Sequence, residues 1–476
     1  MDWNIAKHII DRLAPTAALI DARRGNTIET GLAEAVASAA GAMRAAGLAP
    51  GQRLAIGCDQ TLWTVLAYLG AQYAGLTAVP VERDKLSVAL GDLGTEGVWV
   101  PDSAWLEGLP TPRVASLVGP DSLVGAPVQA EPRGPDDLAA LMATSGTTGR
   151  AVRFIMVTHR NLLTNTRDIA ASQHLQPGDR AMLILPMSYC FGVSVLLSHL
   201  WAGGDCVLDS RFTYPDTVLA AMDEYRCTSF AGVPSVYRIL DTRSALARME
   251  LPNLRRFLQA GGPLDAPTIE RIRAAKPGVP FYVMYGATEA TARITTLDPA
   301  LYENKKGSVG RAIGQLNLRI HEPDKHGIGE VMVSGDSITP GYWCCERQET
   351  VLMEDGWLRT GDLGLLDEDG CLWIKGRSKD IVKVKGLRVS LQEVDAIVNN
   401  VPGVLSAAAC GVPHTLAGEA LAVFAVVREH TEELRGEIRK ALPLQWVVDR
   451  ICFVPELPLT PSGKVVRGRL AELGGT

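Results

Sequence analysis

The 476-residue sequence lacks several features that would each indicate a particular class of protein. It has no run of about 18 apolar residues, so no membrane-spanning helix is expected. Its first residues, Met1 to Leu13, mix charged and apolar side chains without the apolar core of a signal peptide. The net charge of -6 argues against a nucleic-acid partner, because proteins that bind nucleic acids normally carry a basic face.

Cysteine pairs of the zinc-binding kind are also missing. The nine cysteines are scattered, and no C-x-x-C pair is present. Reduced thiols are therefore expected, which favours a cytoplasmic protein. With 47% hydrophobic and 21% charged residues, the chain has the composition of a globular protein with an ample core, and its length predicts at least two domains.

Two common nucleotide-binding motifs are absent, namely G-x-x-x-x-G-K-[ST] and a G-x-G-x-x-G directly after a strand. A P-loop kinase is thereby excluded. The sequence instead contains Ala143-Thr144-Ser145-Gly146-Thr147-Thr148-Gly149, directly behind the apolar segment from Leu138 to Met142. This pattern predicts a buried strand that opens into a loop, and its glycines let backbone N–H groups approach a polyanion. We interpret the loop as phosphate-binding, with a polar surface loop as the alternative.

Four further motifs follow in order along the chain. They are Tyr285-Gly286-Ala287-Thr288-Glu289, then Gly356-Trp357-Leu358-Arg359-Thr360-Gly361-Asp362, then Gly376-Arg377-Ser378-Lys379-Asp380 continuing to Lys385-Gly386, and finally Leu459-Thr460-Pro461-Ser462-Gly463-Lys464. Each alone is a weak signal. Together the five motifs closely resemble the adenylate-forming superfamily, which comprises acyl- and aryl-CoA synthetases, adenylation domains of peptide synthetases, and luciferases. The resemblance covers nearly the whole chain, from about Ala17 to Leu470.

The predicted fold class is α/β. Strand-like and helix-like segments alternate from Pro177 to Met284, and again from Thr30 to Ala74, which predicts two sheets of the βαβ type. The glycine-dense region from Gly307 to Trp373 predicts an antiparallel or β-barrel-like unit. We expect a large N-terminal domain, residues 1–376, and a small α+β C-terminal domain, residues 377–476.

The resemblance implies roles for the motif residues in the N-terminal domain. To form an acyl adenylate, a carboxylate attacks the α-phosphate of ATP and pyrophosphate leaves, so positioning and charge neutralisation provide most of the catalysis. Thr288 would contact the α-phosphate, Glu289 would bind Mg²⁺, and Tyr285 would stack on adenine. Asp362 and Arg377 would contact the ribose. The β- and γ-phosphates would be held by the loop residues Thr144, Ser145, Gly146, Thr147, Thr148 and Gly149.

One departure from the family pattern lies directly behind this loop. The usual Pro-Lys-Gly is replaced by Arg150-Ala151-Val152-Arg153. Arginine holds phosphate oxygens through two hydrogen bonds, so the loop can keep its function with different contacts. His159 is expected to be structural, because the attacking carboxylate is already deprotonated and needs no base.

The C-terminal motifs imply a second step. Lys464 would stabilise the charge that develops during adenylation. The small domain would then rotate about Lys379, so that Gly386, beside Lys385, borders a tunnel for a pantetheine thiol. The acceptor would be coenzyme A or the phosphopantetheine of a separate acyl carrier protein.

The acid pocket is expected around Pro186 to Ser194. Amino-acid-activating relatives place an aspartate in Phe-Asp-x-Ser to bind the α-ammonium, whereas this chain has Phe191-Gly192-Val193-Ser194. A buried ammonium without a partner is costly, so an α-amino acid is not expected. The expected walls leave room for an alkyl or an aryl acid, and they are Tyr189, Phe191, Gly192, Phe230, Ala260, Gly261, Gly262 and Ala287.

These observations predict an ATP- and Mg²⁺-dependent acid–thiol ligase that acts on a small-molecule carboxylic acid. Two alternatives stay open. An amino-acid adenylation enzyme is disfavoured by Gly192. A catalytically silent relative that only binds nucleotide or acid is disfavoured by the intact Glu289, Asp362, Arg377 and Lys464.

Overall fold

The structure is a computed structural model of the chain. It describes residues 2–14, 17–28, 31–143, 152–343, 349–350, 355–384, 387–415, 417–460 and 465–473.

Several of the α-helices begin where the sequence supplies a side-chain cap. Thr158 and Asn161 form a reciprocal capping box in front of the helix His159–Ser172, and Asp265 accepts the N–H of Thr268 at the start of the helix Ala266–Ala275. The helices of the described ranges are α1 Ile5–Ile10, α2 Leu32–Ala45, α3 Leu62–Tyr73, α4 Leu86–Leu90, α5 His159–Ser172, α6 Cys190–Trp201, α7 Pro215–Glu224, α8 Pro234–Arg243, α9 Ala266–Ala275, α10 Leu391–Asn399, α11 Glu432–Ala441 and α12 Arg467–Leu473. None of these helices is long and apolar enough to cross a membrane.

The strands are short, and most are buried and apolar, as expected for sheets covered by helices on both faces. In chain order they are β1 Leu19–Asp21, β2 Asn26–Ile28, β3 Arg53–Gly57, β4 Thr77–Val81, β5 Gly97–Val100, β6 Ala115–Val118, β7 Leu138–Ala143, β8 Phe154–Thr158, β9 Arg180–Leu183, β10 Asp205–Leu208, β11 Ser229–Gly232, β12 Arg256–Gln259, β13 Phe281–Tyr285, β14 Thr295–Leu297, β15 Arg311–Ala312, β16 Asn317–His321, β17 Gly329–Ser334, β18 Gly341–Trp343, β19 Glu349–Thr350, β20 Leu358–Leu366, β21 Leu372–Arg377, β22 Ile381–Val384, β23 Leu387–Ser390, β24 Val404–His414, β25 Gly418–Val427 and β26 Val448–Phe453.

Two large sheets confirm the prediction of βαβ units. One has nine strands in the order β15-β14-β13-β12-β11-β9-β10-β1-β2, and its strands from β13 to β1 run parallel. The other has eight strands in the order β19-β18-β8-β7-β4-β3-β5-β6, with β7 to β6 parallel. Parallel strands direct their carboxyl ends toward one edge, which is where open α/β sheets bind ligands.

The glycine-dense region contains the antiparallel unit that the sequence predicts as one of two possibilities, and the described residues form no closed barrel. Strands β16, β17, β20 and β21 form an open four-stranded antiparallel sheet in which the outer strands do not pair, as far as the described residues go.

The C-terminal unit is the α+β structure that the sequence predicts. Strands β22 to β26 form a five-stranded sheet against α10, α11 and α12, and this unit has an apolar core of its own, with Val394, Val398 and Val423 fully buried. A separate core agrees with a division near Gly376, and the exact boundary remains a prediction.

Candidate active site

The turn that follows β13 organises the site. Gly286 is required there by close packing, since a Cβ at this position would overlap the carbonyl oxygen of Ala292. Thr291 and Ala292 have φ angles of 61° and 128°, which side chains rarely adopt. Strain of this kind is stored at functional sites. The turn fixes Thr288 and Glu289, which lie in a short 3-10 helix, Thr288–Ala290.

The predicted ribose-binding residues form one hydrogen-bonded cluster. The hydroxyl of Tyr285 donates to Oδ2 of Asp362 across 2.5 Å, and Nε of Arg377 donates to Oδ1 across 2.8 Å. Asp362 is 3% exposed, so its charge is desolvated and needs this arginine. The nearby Asp362 carboxylate in turn raises the pKa of Arg377. The contact joins the nine-stranded sheet, through Tyr285, to the four-stranded sheet.

Glu289 is held by a residue of the eight-stranded sheet. The hydroxyl of Tyr342, on β18, donates to Oε1 of Glu289 across 2.8 Å. The guanidinium carbon of Arg153 lies 3.6 Å from the centroid of the Tyr342 ring, a cation–π contact. Arg153, in the segment that departs from the family pattern, thus contacts the residue that holds the predicted metal ligand. The candidate site is therefore the place where three sheets meet.

The donor set around Glu289 fits magnesium better than a transition metal. No group of three histidine, cysteine or acidic side chains in the described ranges could enclose an ion. Mg²⁺ does not require such a cage, because it keeps several waters and binds one or two carboxylates together with phosphates.

The predicted α-phosphate ligand faces the start of α6. The Oγ1 of Thr288 lies 3.4 Å from Sγ of Cys190, within hydrogen-bonding distance for sulfur. Phe191 follows directly in the helix, and its ring centroid lies 6.4 Å from that of Tyr189. The residue expected to bind the α-phosphate and two residues expected to line the acid pocket therefore lie together at the start of α6.

Part of the predicted acid pocket comes together. A Cβ on Gly261, which has a φ of 90°, would lie 3.1 Å from the hydroxyl of Tyr189. Ala260 and Gly262 flank this glycine, and Ala287 belongs to the turn after β13. Burial raises the pKa of Tyr189, so its phenol is neutral.

Two of the predicted pocket residues have packing roles in the structure. Phe230 is 0% exposed, and its ring contacts those of Phe212, Tyr237 and Phe257, so it belongs to the aromatic core, and its place in the pocket wall stays a prediction. A Cβ at Gly192 would overlap the carbonyl oxygen of Pro186. A side chain at this position would therefore meet backbone, so Gly192 serves close packing at the start of α6.

Several predicted residues lie outside the described ranges. These are the phosphate-loop residues Thr144 to Gly149, the tunnel residue Gly386 with Lys385, and Lys464. The segments on both sides of the loop that carries Lys464 are described. Leu459 and Val465 form an antiparallel bridge, and Arg467 donates to Oδ2 of Asp395 and to the carbonyl of Ala409, each across 2.6 Å.

The proposed pivot lies in a short 3-10 turn, Ser378–Asp380, between β21 and β22. The backbone of Lys379 is described there, and its side chain is not. His159 is fully buried, and its Nδ1 accepts the N–H of Ile5 across 3.2 Å. Burial lowers its pKa to about 3, so it is neutral and structural, as expected.

Sequence reasoning missed Tyr342 and Arg293. Tyr342 has no motif around it, and only the pairing of β18 with β8 brings it near the site. Arg293 did leave a signal. It is the one charged residue between Glu289 and Asp298 in an otherwise small and apolar stretch, where a solvated arginine is unexpected.

Comparison with known proteins agrees with this geometry. Residues 16–343 match the family model for AMP-binding enzymes, and residues 393–464 match that for the AMP-binding enzyme C-terminal domain. A feruloyl-CoA synthase from Amycolatopsis sp. is 30% identical, over 98% of this chain and 97% of its own length. The ATP-bound structure of MatB from Rhodopseudomonas palustris has a TM-score of 0.86 at 27% identity, covering 99% of both chains. An o-succinylbenzoate coenzyme A synthetase from Bacillus subtilis, in complex with ATP and magnesium ion, has a TM-score of 0.84 at 25% identity, covering 98% of this chain and 99% of its own.

The large α/β domain, the small α+β domain and the carboxylates at the junction of three sheets define an adenylate-forming enzyme. The chain belongs to the AMP-binding enzyme family, whose models cover most of its length. It is an acid–thiol ligase.

Proposed function

We propose that the enzyme activates a small carboxylic acid as its acyl adenylate and transfers the acyl group to a pantetheine thiol. In the first step the carboxylate oxygen bonds to the α-phosphorus of ATP, and pyrophosphate leaves. In the second step the thiol sulfur bonds to the acyl carbon, and AMP leaves. The observation that carries this proposal is the turn after β13, which lies beside Asp362, Arg377 and Tyr342 at once.

The nucleotide would lie along this turn. Asp362 would accept the ribose hydroxyls, because each carboxylate oxygen keeps a further lone pair beside the bond it already accepts. Arg377 would neutralise that carboxylate and reach the same ribose. The ring of Tyr285, whose hydroxyl is fixed by Asp362, would face adenine.

Charge neutralisation would come from three sources. Glu289 would hold Mg²⁺, which when bound neutralises the charge on the phosphates and the leaving pyrophosphate. Tyr342 keeps the Glu289 carboxylate in place. Thr288 would donate to the α-phosphate, and Lys464 would stabilise charge on the attacking and bridging oxygens.

The acyl transfer would follow a rotation of the small C-terminal domain about Lys379, which brings Gly386 to the mouth of a thiol tunnel. The acceptor is coenzyme A, or a separate acyl carrier protein that carries phosphopantetheine. Both end in the same thiol, so the same tunnel would serve either. None of the seven described cysteines forms a disulfide, and we place the reaction in the cytoplasm.

Pyrophosphate release tests the proposal. The purified enzyme, with ATP and Mg²⁺, is screened against alkyl, aryl and amino acids, and thioester formation is then followed with coenzyme A and with a phosphopantetheinylated carrier protein. We expect release with a non-amino acid, and no thioester without a thiol. If none of the acids causes pyrophosphate release, the catalytically silent alternative is favoured. Preference for an amino acid would favour the adenylation enzyme of peptide synthesis.

A further inference from the structure

Arg293 is a buried cation for which the described part of the chain supplies no counter-charge. Its side chain is 1% exposed, and its Nε and Nη1 make no hydrogen bond. None of the ion pairs in the described ranges includes it. Burial lowers its pKa to about 10, so the guanidinium still carries its charge at neutral pH. A buried, charged group with unused donors is rare in folded proteins and indicates a missing ligand.

The position of Arg293 is fixed. The side chain of Asn165, on α5, accepts the N–H of Arg293 across 3.2 Å and donates to its carbonyl across 2.9 Å. The residue follows directly after the strained Ala292 in the turn that carries Thr288 and Glu289. The fold therefore holds this guanidinium against the acid side of the site.

The surroundings of the guanidinium are those of the acid pocket. Its carbon lies 4.9 Å from the centroid of the Phe191 ring. Tyr189 is close enough to interact electrostatically with it, and that phenol is neutral. The cation–π contact leaves the in-plane N–H groups of an arginine unused, and these are the groups that bind carboxylates in pairs.

We propose that Arg293 binds a second carboxylate on the acid substrate, so that the enzyme activates a short dicarboxylic acid. The inference rests on the proposed function, and it narrows the range of alkyl acids that the enzyme would activate. The chain length follows from two neighbouring contacts: Thr288 meets Cys190, and Arg293 meets Phe191. Cys190 and Phe191 are consecutive residues at the start of α6, so both contacts lie at the same end of that helix, and we expect only a few carbon atoms between the two carboxylates.

The test compares matched acids, with pyrophosphate release as the readout. Succinate is paired with butyrate and glutarate with valerate, each pair having the same number of carbon atoms. We expect kcat/KM to favour a dicarboxylate over its partner by about 100-fold or more, because a site built around a buried polar group rejects a ligand that leaves it unpaired. In Arg293→Met this ratio should fall by about 100-fold. In Arg293→Lys this ratio should lie between those of the wild type and of Arg293→Met, since lysine keeps the charge without the paired donors.

A matched control is Arg273→Met. Arg273 also lies over a ring, 4.5 Å from the centroid of Tyr302, but it is paired with Glu303 on the surface. The control should leave the ratio as it is in the wild type. The thermal midpoint without ligand separates binding from structure. Arg293→Met should match or exceed the wild type, because a buried charge without a partner is replaced by an apolar side chain of similar length.

Three results would overturn the inference: a wild-type preference for the monocarboxylates, an equal loss on both acids in Arg293→Met, or a marked fall of its thermal midpoint. Release with monocarboxylates alone would leave the ligase proposal intact and remove only the role of Arg293. If no acid releases pyrophosphate, the ligase proposal fails, and thermal stabilisation of wild type but not of Arg293→Met by succinate or glutarate still decides whether the site binds a second carboxylate.

Discussion

The Nε–H of Arg377 donates a hydrogen bond to Oδ1 of Asp362, and the two residues lie opposite each other in the paired strands β21 and β20. The first residue of the predicted C-terminal domain is therefore tied to the four-stranded sheet. The ladder ends there, and the 3-10 turn Ser378–Asp380 follows. A rotation that leaves the ribose site intact must then take place beyond Arg377, which agrees with a pivot at Lys379.

Lys379→Pro should separate the two half-reactions. Proline fixes φ at the pivot and restricts the residue before it, so the rotation is hindered while the N-terminal site is untouched. We expect pyrophosphate release in the first turnover to persist and thioester formation to fall by at least about tenfold, or ~1.4 kcal/mol in the barrier. Lys379→Ala, which removes the side chain without restricting φ, is the control. Equal effects of both variants would place the role in the side chain and refute the pivot.

Lys464→Ala should act on the first half-reaction. Loss of one positioned donor for developing charge typically costs about 10²–10³ in rate. Thioester formation from supplied acyl adenylate should be much less affected, because that step occurs after the rotation. Exposed Lys440 on α11 offers a control for loss of charge, as Lys440→Ala. An equal loss in both half-reactions would contradict the assigned role.

Arg467 is a positioning residue for the same loop. It lies three residues after Lys464 and ties the chain to Asp395 and Ala409. Arg467→Lys keeps the charge but loses the two-pronged contact, so adenylation should fall by about tenfold, as for one lost hydrogen bond to a charged group. Rates from supplied acyl adenylate report whether the loss is confined to the first step. A loss that is equal in both steps would indicate a merely structural role.

Tyr342→Phe should change the magnesium dependence of adenylation. The hydroxyl that holds Glu289 is lost while the ring beneath Arg153 is kept, so we expect a rise of about tenfold in the Mg²⁺ concentration that gives half-maximal rate. Glu289→Gln should be more severe, because it removes the ligand itself. Tyr214→Phe, at a site that is 70% exposed, is the control. An unchanged Mg²⁺ response in Glu289→Gln would show that the metal binds elsewhere.

Gly192→Ala and Gly192→Asp should both destabilise the protein. Either side chain places a Cβ against the carbonyl oxygen of Pro186, and overpacking of this kind costs about 1–3 kcal/mol. A lowered thermal midpoint in both variants is the expected result. Gly436→Ala, in a helix where a Cβ has nothing within 4 Å, should be neutral or stabilising. If the alanine variant is as stable as the wild type, position 192 is open and an aspartate there could reach the acid.

The sequence alone determined the class of fold and the order of the chemistry. Alternating strand-like and helix-like segments predicted two parallel sheets, because a strand that is buried on both faces appears in the sequence as a short apolar run. Five motifs, from Ala143-Thr144-Ser145 to Lys464, predicted adenylation. These signals are local, since each depends on residues that are neighbours in the chain.

Only the tertiary structure decided which residues share the site. Tyr342 reaches Glu289 because β18 pairs with β8, and Arg293 meets Phe191 because a strained turn lies against α6. Tertiary contacts also decided three further features: the direction of a Cβ at Gly192, the burial of Phe230 and the open edge of the four-stranded sheet. Each depends on contacts between segments far apart in sequence, and a pattern that is read along one chain contains no information on the space between them.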